Sequence, residues 1–234
     1  MKIYYRISDV GYKKVKAPYI NNENCLKNFC LNFMNGDTSY ITMIADNICK
    51  ETYEMILRYV KSDNIIMCSL GSGAQTFNFA LDMALKLTND KEIVYFVEND
   101  YVHRSDSKRV LEEGFNLGAH FVCLYDHPDK YINATDGGNP LIENGGEITQ
   151  VFLSNSCHWK LTNSTTMSFS STVKTLKETE NILRKWTTGT YPQDMRMFLE
   201  LRENGKTLVS PIPSYSTHGD APWLAPIINW EKEV

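Results

Sequence analysis

Along its first hundred residues the chain switches between two hydrophobic periods, and each switch predicts an element. Lys2–Ser8 alternates and is rich in Ile and Tyr, which reads as a strand ending in polar Arg6-Ile7-Ser8-Asp9. Residues 11–19, with Lys13, Lys14, Lys16 and Pro18, form a loop. Residues 24–33 set Cys25, Leu26, Phe29, Cys30 and Phe33 at helical spacing, and Asn35-Gly36-Asp37 breaks the pattern. A second strand over residues 40–45 ends in Asp46-Asn47. A helix over 51–61 carries Tyr53, Ile56, Leu57 and Val60 on one stripe, and a third strand follows at 64–68.

Next comes Ser69-Leu70-Gly71-Ser72-Gly73-Ala74, opening a helix over residues 75–87. A glycine-rich strand-to-helix turn can bring backbone N–H groups to a phosphate. This one lacks the GK[ST] ending of a P-loop and the full GxGxxG, and a turn of this kind also uses glycine for backbone reasons alone. The fourth strand, 92–97, leads into Val94-Tyr95-Phe96-Val97-Glu98-Asn99-Asp100-Tyr101-Val102-His103. Here a run that reads as a buried central strand stops abruptly at two acids spaced i, i+2. Ligands of open α/β sheets collect beyond the carboxyl ends of the strands. Two carboxylates there repel unless a cation sits among them, and oxygen ligands suit a divalent metal. A strand closing in an ordinary polar turn would look the same.

The second half is less regular. A helix is expected over 107–117 and a strand over 121–125, leading into Asp126-His127-Pro128-Asp129-Lys130-Tyr131. Residues 133–146, rich in Gly, Asn and Asp, read as a long surface loop. Strands at 148–154 and 165–170 flank residues 155–164. A helix over 173–186, a linker over 187–191 and a helix over 192–204 with Pro192 near its start precede a last strand, Leu208–Ile212. The tail, 213–234, holds His218 and two Trp and shows little pattern. Alternating strands and helices argue for an α/β fold with a mostly parallel central sheet flanked by helices. The 234 residues fit a single domain, with a nucleotide-binding half over 1–103 and an acceptor-binding half over 104–234.

Composition narrows the classes. A net charge of −4 leaves no basic footprint for nucleic acid. No apolar run reaches the length of a transmembrane segment, and the N-terminus has no signal-peptide core. The six cysteines have no CxxC spacing and read as free thiols in a reducing compartment, so a cytoplasmic location is expected.

If the first four strands are parallel, Arg6-Ser8-Asp9, Asp46-Asn47, Gly71-Ser72-Gly73 and Glu98-Asn99-Asp100 share one edge of the sheet. Acids, amides, glycines and a metal in one cleft suit a nucleoside diphosphate. Asp46 reads either as an acceptor for a base or ribose or as a turn residue. Of the five histidines, His103 and His120 read as structural. His127 and His158 lie in polar contexts where imidazole can touch substrate. His218 reads either as a structural residue or as a metal ligand. Asp194 sits at an expected helix start, where the dipole favours a carboxylate, and it is also suited to take a proton from an attacking hydroxyl.

Six stretches, in order, carry a resemblance: Tyr4-Tyr5-Arg6-Ile7-Ser8-Asp9, Ala45-Asp46-Asn47, Ser69-Leu70-Gly71, Tyr95 to Tyr101, Asp126 to Tyr131 with Tyr125 before it, and Ser214 to Trp230. The set resembles a family of small GT-A fold glycosyltransferases that includes the N-terminal glycosyltransferase domain of a multidomain chlorella-virus protein and bacterial relatives. The resemblance implies a nucleotide-sugar donor, UDP preferred, a glycan acceptor, and Mn²⁺ or Mg²⁺ on the diphosphate. The family's DxD motif reads Glu98-Asn99-Asp100 here. It implies Asp100 as metal ligand, Glu98 toward ribose, metal or its water, and His218 as a late metal ligand. Arg6, Ser8, Asp9, Asp46, Gly71, Ser72 and Asn99 would line the nucleotide site. Asp194 matches the catalytic base of inverting members. Asp126, His127, His158 and Trp159 would shape the donor-sugar and acceptor pockets, with Trp159 stacking on a sugar or packing in the core. The rivals are a sugar nucleotidyltransferase, which usually has a glycine cluster after its first strand, and a non-catalytic nucleotide- or sugar-binding module.

Overall fold

The computed structural model describes residues 1–10 and 14–234, so Gly11 to Lys13 of the expected loop lie outside the described residues. The chain runs β1 (Lys2–Ser8), α1 (Asn22–Asn28), a π-helical turn over Phe29–Phe33, β2 (Ile41–Asp46), α2 (Lys50–Leu57), β3 (Ile65–Cys68), α3 (Gly73–Leu85) and β4 (Ile93–Glu98). Then follow β5 (Tyr101–His103), α4 (Ser107–Asn116), β6 (Phe121–Val122), β7 (Val151–Leu153), β8 (His158–Leu161), β9 (Phe169–Thr172), α5 (Val173–Lys185), α6 (Asp194–Glu203), β10 (Leu208–Ile212) and β11 (Ser216–His218).

Nine strands form one sheet in the order β3-β2-β1-β4-β9-β6-β10-β8-β7. β1 pairs in parallel with β2 and β4, and β2 with β3, so the four early strand ends lie on one edge as expected. Only β9 and β8 run against the other strands of this sheet. The sheet is continuous across both halves of the chain.

Strand alternation sorts the core onto two faces. Ile3, Tyr5 and Ile7 of β1 pack with Leu26, Phe29 and Phe33 from α1 and its π turn, Ile56 of α2, and Val110 and Leu111 of α4. Tyr4, Val94 and Phe96 pack on the other face against Phe77, Ala80 and Leu81 of α3, Leu176 of α5 and Phe198 of α6. Helices thus cover both faces, the arrangement that a mainly parallel sheet needs. A smaller cluster around Tyr101, Val102, Tyr125 and Trp230 underlies a separate two-stranded ribbon of β5 and β11.

Several strands differ from the sequence reading: β9 begins only at Phe169, leaving 165–168 of the expected strand as a loop, and β6 is shorter than the expected 121–125. β8 falls inside residues 155–164, which the sequence reading assigned to no element, and pairs with both β10 and β7. β5 and β11 are each three residues long, and they lie where a turn and a patternless tail were expected. All six cysteines are free, and four are buried. Among the described residues, no helix is long and apolar enough to cross a membrane.

Candidate functional site

Beyond the carboxyl ends of β1, β2 and β4 lies a cleft of about 640 Å³, within the range of small-molecule sites. Arg6, Ser8, Asp9, Asp46, Gly71, Ser72, Glu98, Asn99, Asp100 and Asp194 all line it. The second half contributes Thr166, Met167, Thr190, Tyr191, Pro192 and Asp194, so both halves of the chain meet there.

The glycine turn is built from within. Gly71 adopts φ +82°, the left-handed region that favours glycine. The Asp46 carboxylate accepts from the N–H groups of Leu70 (2.5 Å) and Gly71 (2.9 Å), latching the turn to the end of β2. Ser72 caps α3, its hydroxyl accepting from Gln75 N–H at 3.2 Å. These contacts engage two of the expected nucleotide-site residues within the protein itself. Asp46 is 2% exposed and engaged with backbone, and the Gly71 N–H is bonded to Asp46 rather than offered to a phosphate. Asp9 likewise accepts from Cys49 N–H (2.7 Å) at the start of α2 and from Thr52 (2.9 Å).

Arg6 is buried beneath the cleft. It donates to the carbonyls of Gly73 (3.1 Å) and Met167 (2.8 Å) and pairs with Glu98 Oε1 at 3.3 Å. It therefore ties the glycine turn, the acidic strand end and the 165–167 loop together. Asp194, the first residue of α6, holds that same loop: its Oδ2 accepts from the N–H groups of Thr165 and Thr166, each at 2.8 Å. Thr166 and Met167 both have positive φ, 49° and 60°, so the loop conformation needs this support.

Glu98 and Asp100 line the cleft, and their ligand atoms and one of His218 all lie within 4.8 Å of one another. The β5–β11 ribbon brings His218 there by pairing it with Tyr101. Asp100 is 6% exposed, and its Oδ1 has no hydrogen-bond partner among the described residues. Arg6 Nε and Thr166 Oγ1, also at the cleft, are unpaired as well. Two carboxylates and an imidazole, one carboxylate oxygen unpartnered, form a donor set that fits a divalent cation.

Sequence reasoning missed Lys14 and Lys16. Both ammonium groups stand 3.5 Å from Asp100 Oδ2, and Lys14 Nζ is 2.7 Å from His218 Nε2. An ammonium only donates, so Nε2 can accept from Lys14 or, when protonated, pair with Asp100 Oδ2 at 3.5 Å, but not both at once. Burial alone would raise the Asp100 carboxyl, but the His218 imidazole, Lys14 and Lys16 outweigh it and hold the group well below the usual carboxylate range. The signal was the i, i+2 spacing of two lysines in a loop, which reads as solvated charge.

Asp126, His127, His158 and Trp159 do not line this cleft. Asp126 is 2% exposed and lies 2.9 Å from buried Lys160. Burial would lower the Lys160 ammonium, but Asp126 outweighs it and raises the group above its ordinary value. His127 accepts from the Asp129 N–H at 3.1 Å and packs near Trp223. His158 is exposed on β8, toward the far side of the sheet. Trp159 is fully buried in the core and donates to Ser154 at 3.0 Å, so neither ring face is open to a sugar. Of its two readings, the packed one holds.

Among solved structures the chain is similar to S. aureus TarS 1–349, with a TM-score of 0.51 and 13% identity, covering 92% of this chain and 60% of that one. A197 from STIV aligns with a TM-score of 0.43 and 15% identity, covering 93% of this chain and 84% of that one. The TarS likeness is one of fold, a mixed α/β architecture with helices on both faces of a large, mostly parallel sheet. No family model and no curated protein matches the chain.

Proposed function

We propose that this chain is a metal-dependent, inverting GT-A glycosyltransferase that moves a sugar from a nucleotide sugar, UDP-linked by preference, to a glycan hydroxyl. One observation carries this reading: four strand ends and Asp194 converge on a single cleft, and two of its lining acids, Glu98 and Asp100, gather with His218. Residues 1–103 supply the nucleotide side and residues 104–234 the acceptor side.

In this reading Ser8 and Asn99 contact the nucleotide, and Arg6, Asp9, Asp46, Gly71 and Ser72 hold the walls that receive it. A divalent ion, Mn²⁺ or Mg²⁺, held by Asp100, Glu98 and His218 supplies Lewis-acid stabilisation of charge on the departing diphosphate. Asp194 takes the proton of the acceptor hydroxyl. The acceptor oxygen then bonds to the anomeric carbon as the bond from that carbon to the diphosphate breaks. Because backbone N–H groups engage Asp194 Oδ2, Oδ1 is the oxygen that receives the proton. Attack from the side opposite the nucleotide inverts the anomeric centre.

The test is incubation with a panel of nucleotide sugars and Mn²⁺, reading released nucleoside diphosphate. Release from one donor is the expected result. Release of pyrophosphate from a sugar phosphate and a nucleoside triphosphate would instead identify a nucleotidyltransferase, and binding without turnover on any donor a binding module.

A further inference from the structure

The cation nearest the candidate metal centre belongs to the chain itself. Lys14 and Lys16 lie on a segment bridged to the tail: Lys16 forms a backbone bridge with Asp220, and Val15 O accepts from Ala221 N–H at 2.7 Å. Alternation along an extended segment puts residues 14 and 16 on the same side, and both side chains reach Asp100. They differ in one respect. Lys14 touches two of the three donor residues, Asp100 at 3.5 Å and His218 at 2.7 Å, whereas Lys16 touches Asp100 alone.

His218 Nε2 and Asp100 Oδ2 cannot hold Lys14 and a metal ion in the same place. A metal entering the centre has to displace an ammonium, which then needs another anion. A diphosphate in the cleft is such an anion, with oxygens that accept from an ammonium. Lys14 lines the same cleft and is partly exposed, so its head group can move between the two.

We propose that Lys14 is a tethered cation that occupies the Asp100–His218 pair and passes to the diphosphate when metal and nucleotide bind together, coupling the two affinities through one side chain. This rests on the nucleotide-and-metal reading of the cleft. An occupied centre lowers apparent metal affinity by the fraction of time it is open, and the coupling is reciprocal.

The test measures Mn²⁺ affinity from the free-ion resonance signal, with and without UDP, in the wild type, Lys14→Gln, Lys16→Gln and Asp100→Asn. Without UDP, Lys14→Gln should bind Mn²⁺ about tenfold more tightly than the wild type, a gain that corresponds to an ammonium holding the centre about nine-tenths of the time. Lys16→Gln should gain less than about threefold, because Lys16 does not reach His218. With UDP saturating, the advantage of Lys14→Gln should vanish, and UDP should bind that variant about tenfold more weakly when Mn²⁺ is present. Equal or weaker Mn²⁺ binding by Lys14→Gln without UDP would overturn the inference, as would an equal gain in Lys16→Gln, which would mean general charge rather than a tethered ligand. Should Lys14→Gln fail to fold, Lys14→Met serves for the same comparison. Asp100→Asn separates the two claims: if it abolishes Mn²⁺ binding while Lys14→Gln matches the wild type, only the inference fails. If no protein binds Mn²⁺ with or without UDP, the metal reading fails and the inference with it.

Discussion

His218 sits opposite Tyr101 across the β5–β11 ribbon, and that pairing brings its Nε2 to 3.5 Å from Asp100 Oδ2. Residues more than a hundred positions apart become neighbours through three paired residues on each side. Gly219, the next residue, fits tightly: a Cβ there would lie 2.4 Å from Ile20 Cγ2 and 2.8 Å from the Asp100 carbonyl oxygen.

The first consequence is that Gly219→Ala must push the ribbon away from Asp100. Overpacking of this kind costs about 1–3 kcal/mol. The variant should lose that much stability in chemical denaturation and bind Mn²⁺ more weakly, both by displacement of His218. Unchanged stability and metal affinity would mean that the ribbon does not set the centre's geometry.

Asp194→Asn tests the proposed base. The asparagine carbonyl oxygen still accepts from the N–H groups of Thr165 and Thr166, so the 165–167 loop should persist. Loss of a general base costs about 10²–10⁴ in rate, so transfer should fall by that factor while nucleotide affinity stays unchanged. Steady-state kinetics with a binding isotherm reads both, and near-wild-type turnover would exclude Asp194 as base.

Asp126 makes a different prediction, one of stability. Removing one partner of a buried ion pair costs up to about 3–5 kcal/mol, and here Glu147, 3.4 Å from Lys160, is left to offset part of the unpaired charge. Asp126→Ala should therefore lower stability on this scale, and Lys160→Met with Asp126→Leu should restore much of it. If Asp126→Ala folds as well as the wild type but has a raised acceptor KM, the carboxylate contacts substrate after all.

Burial lowers the His103 imidazole from the ordinary 6.5 to about 3, with its Nε2 2.9 Å from the Tyr95 hydroxyl. Between those values the unfolded chain binds a proton that the folded one does not. Stability therefore falls as the pH drops from about 6.5 toward 3, by up to about 1.4 kcal/mol per pH unit from this group. Denaturation curves between pH 6.5 and 5, where few carboxylates titrate, should show a shallower decline in His103→Gln. Equal slopes would mean that His103 is charged in the folded state.

The early strands were legible because buried parallel strands leave continuous apolar runs, and the acids at their ends stand out against them. Lys2–Ser8 and Leu208–Ile212 have the expected bounds, and the edge shared by Arg6, Asp46, Gly71 and Glu98 follows from parallel pairing. Engagement was not legible. Nothing in the type or spacing of Asp46 says that its carboxylate latches Leu70 and Gly71, or that Arg6 faces inward to three different segments. β5, β8 and β11 are too short and too polar to carry a period, and their pairing is set by long-range contacts. Trp159 on β8 looked as much like a stacking platform as a core residue until the strand buried it. Lys14 and Lys16 became informative only once the tail folded over them.

Calorimetric titration of UDP tests the central claim most directly, with and without Mn²⁺, in the wild type and in Asp100→Asn. The expected result is UDP binding that strengthens at least about tenfold with Mn²⁺ in the wild type, with no such gain in Asp100→Asn. UDP binding that ignores both Mn²⁺ and Asp100, or no binding of UDP, dTDP or GDP at all, would contradict the assignment of this cleft to a nucleoside diphosphate and its metal.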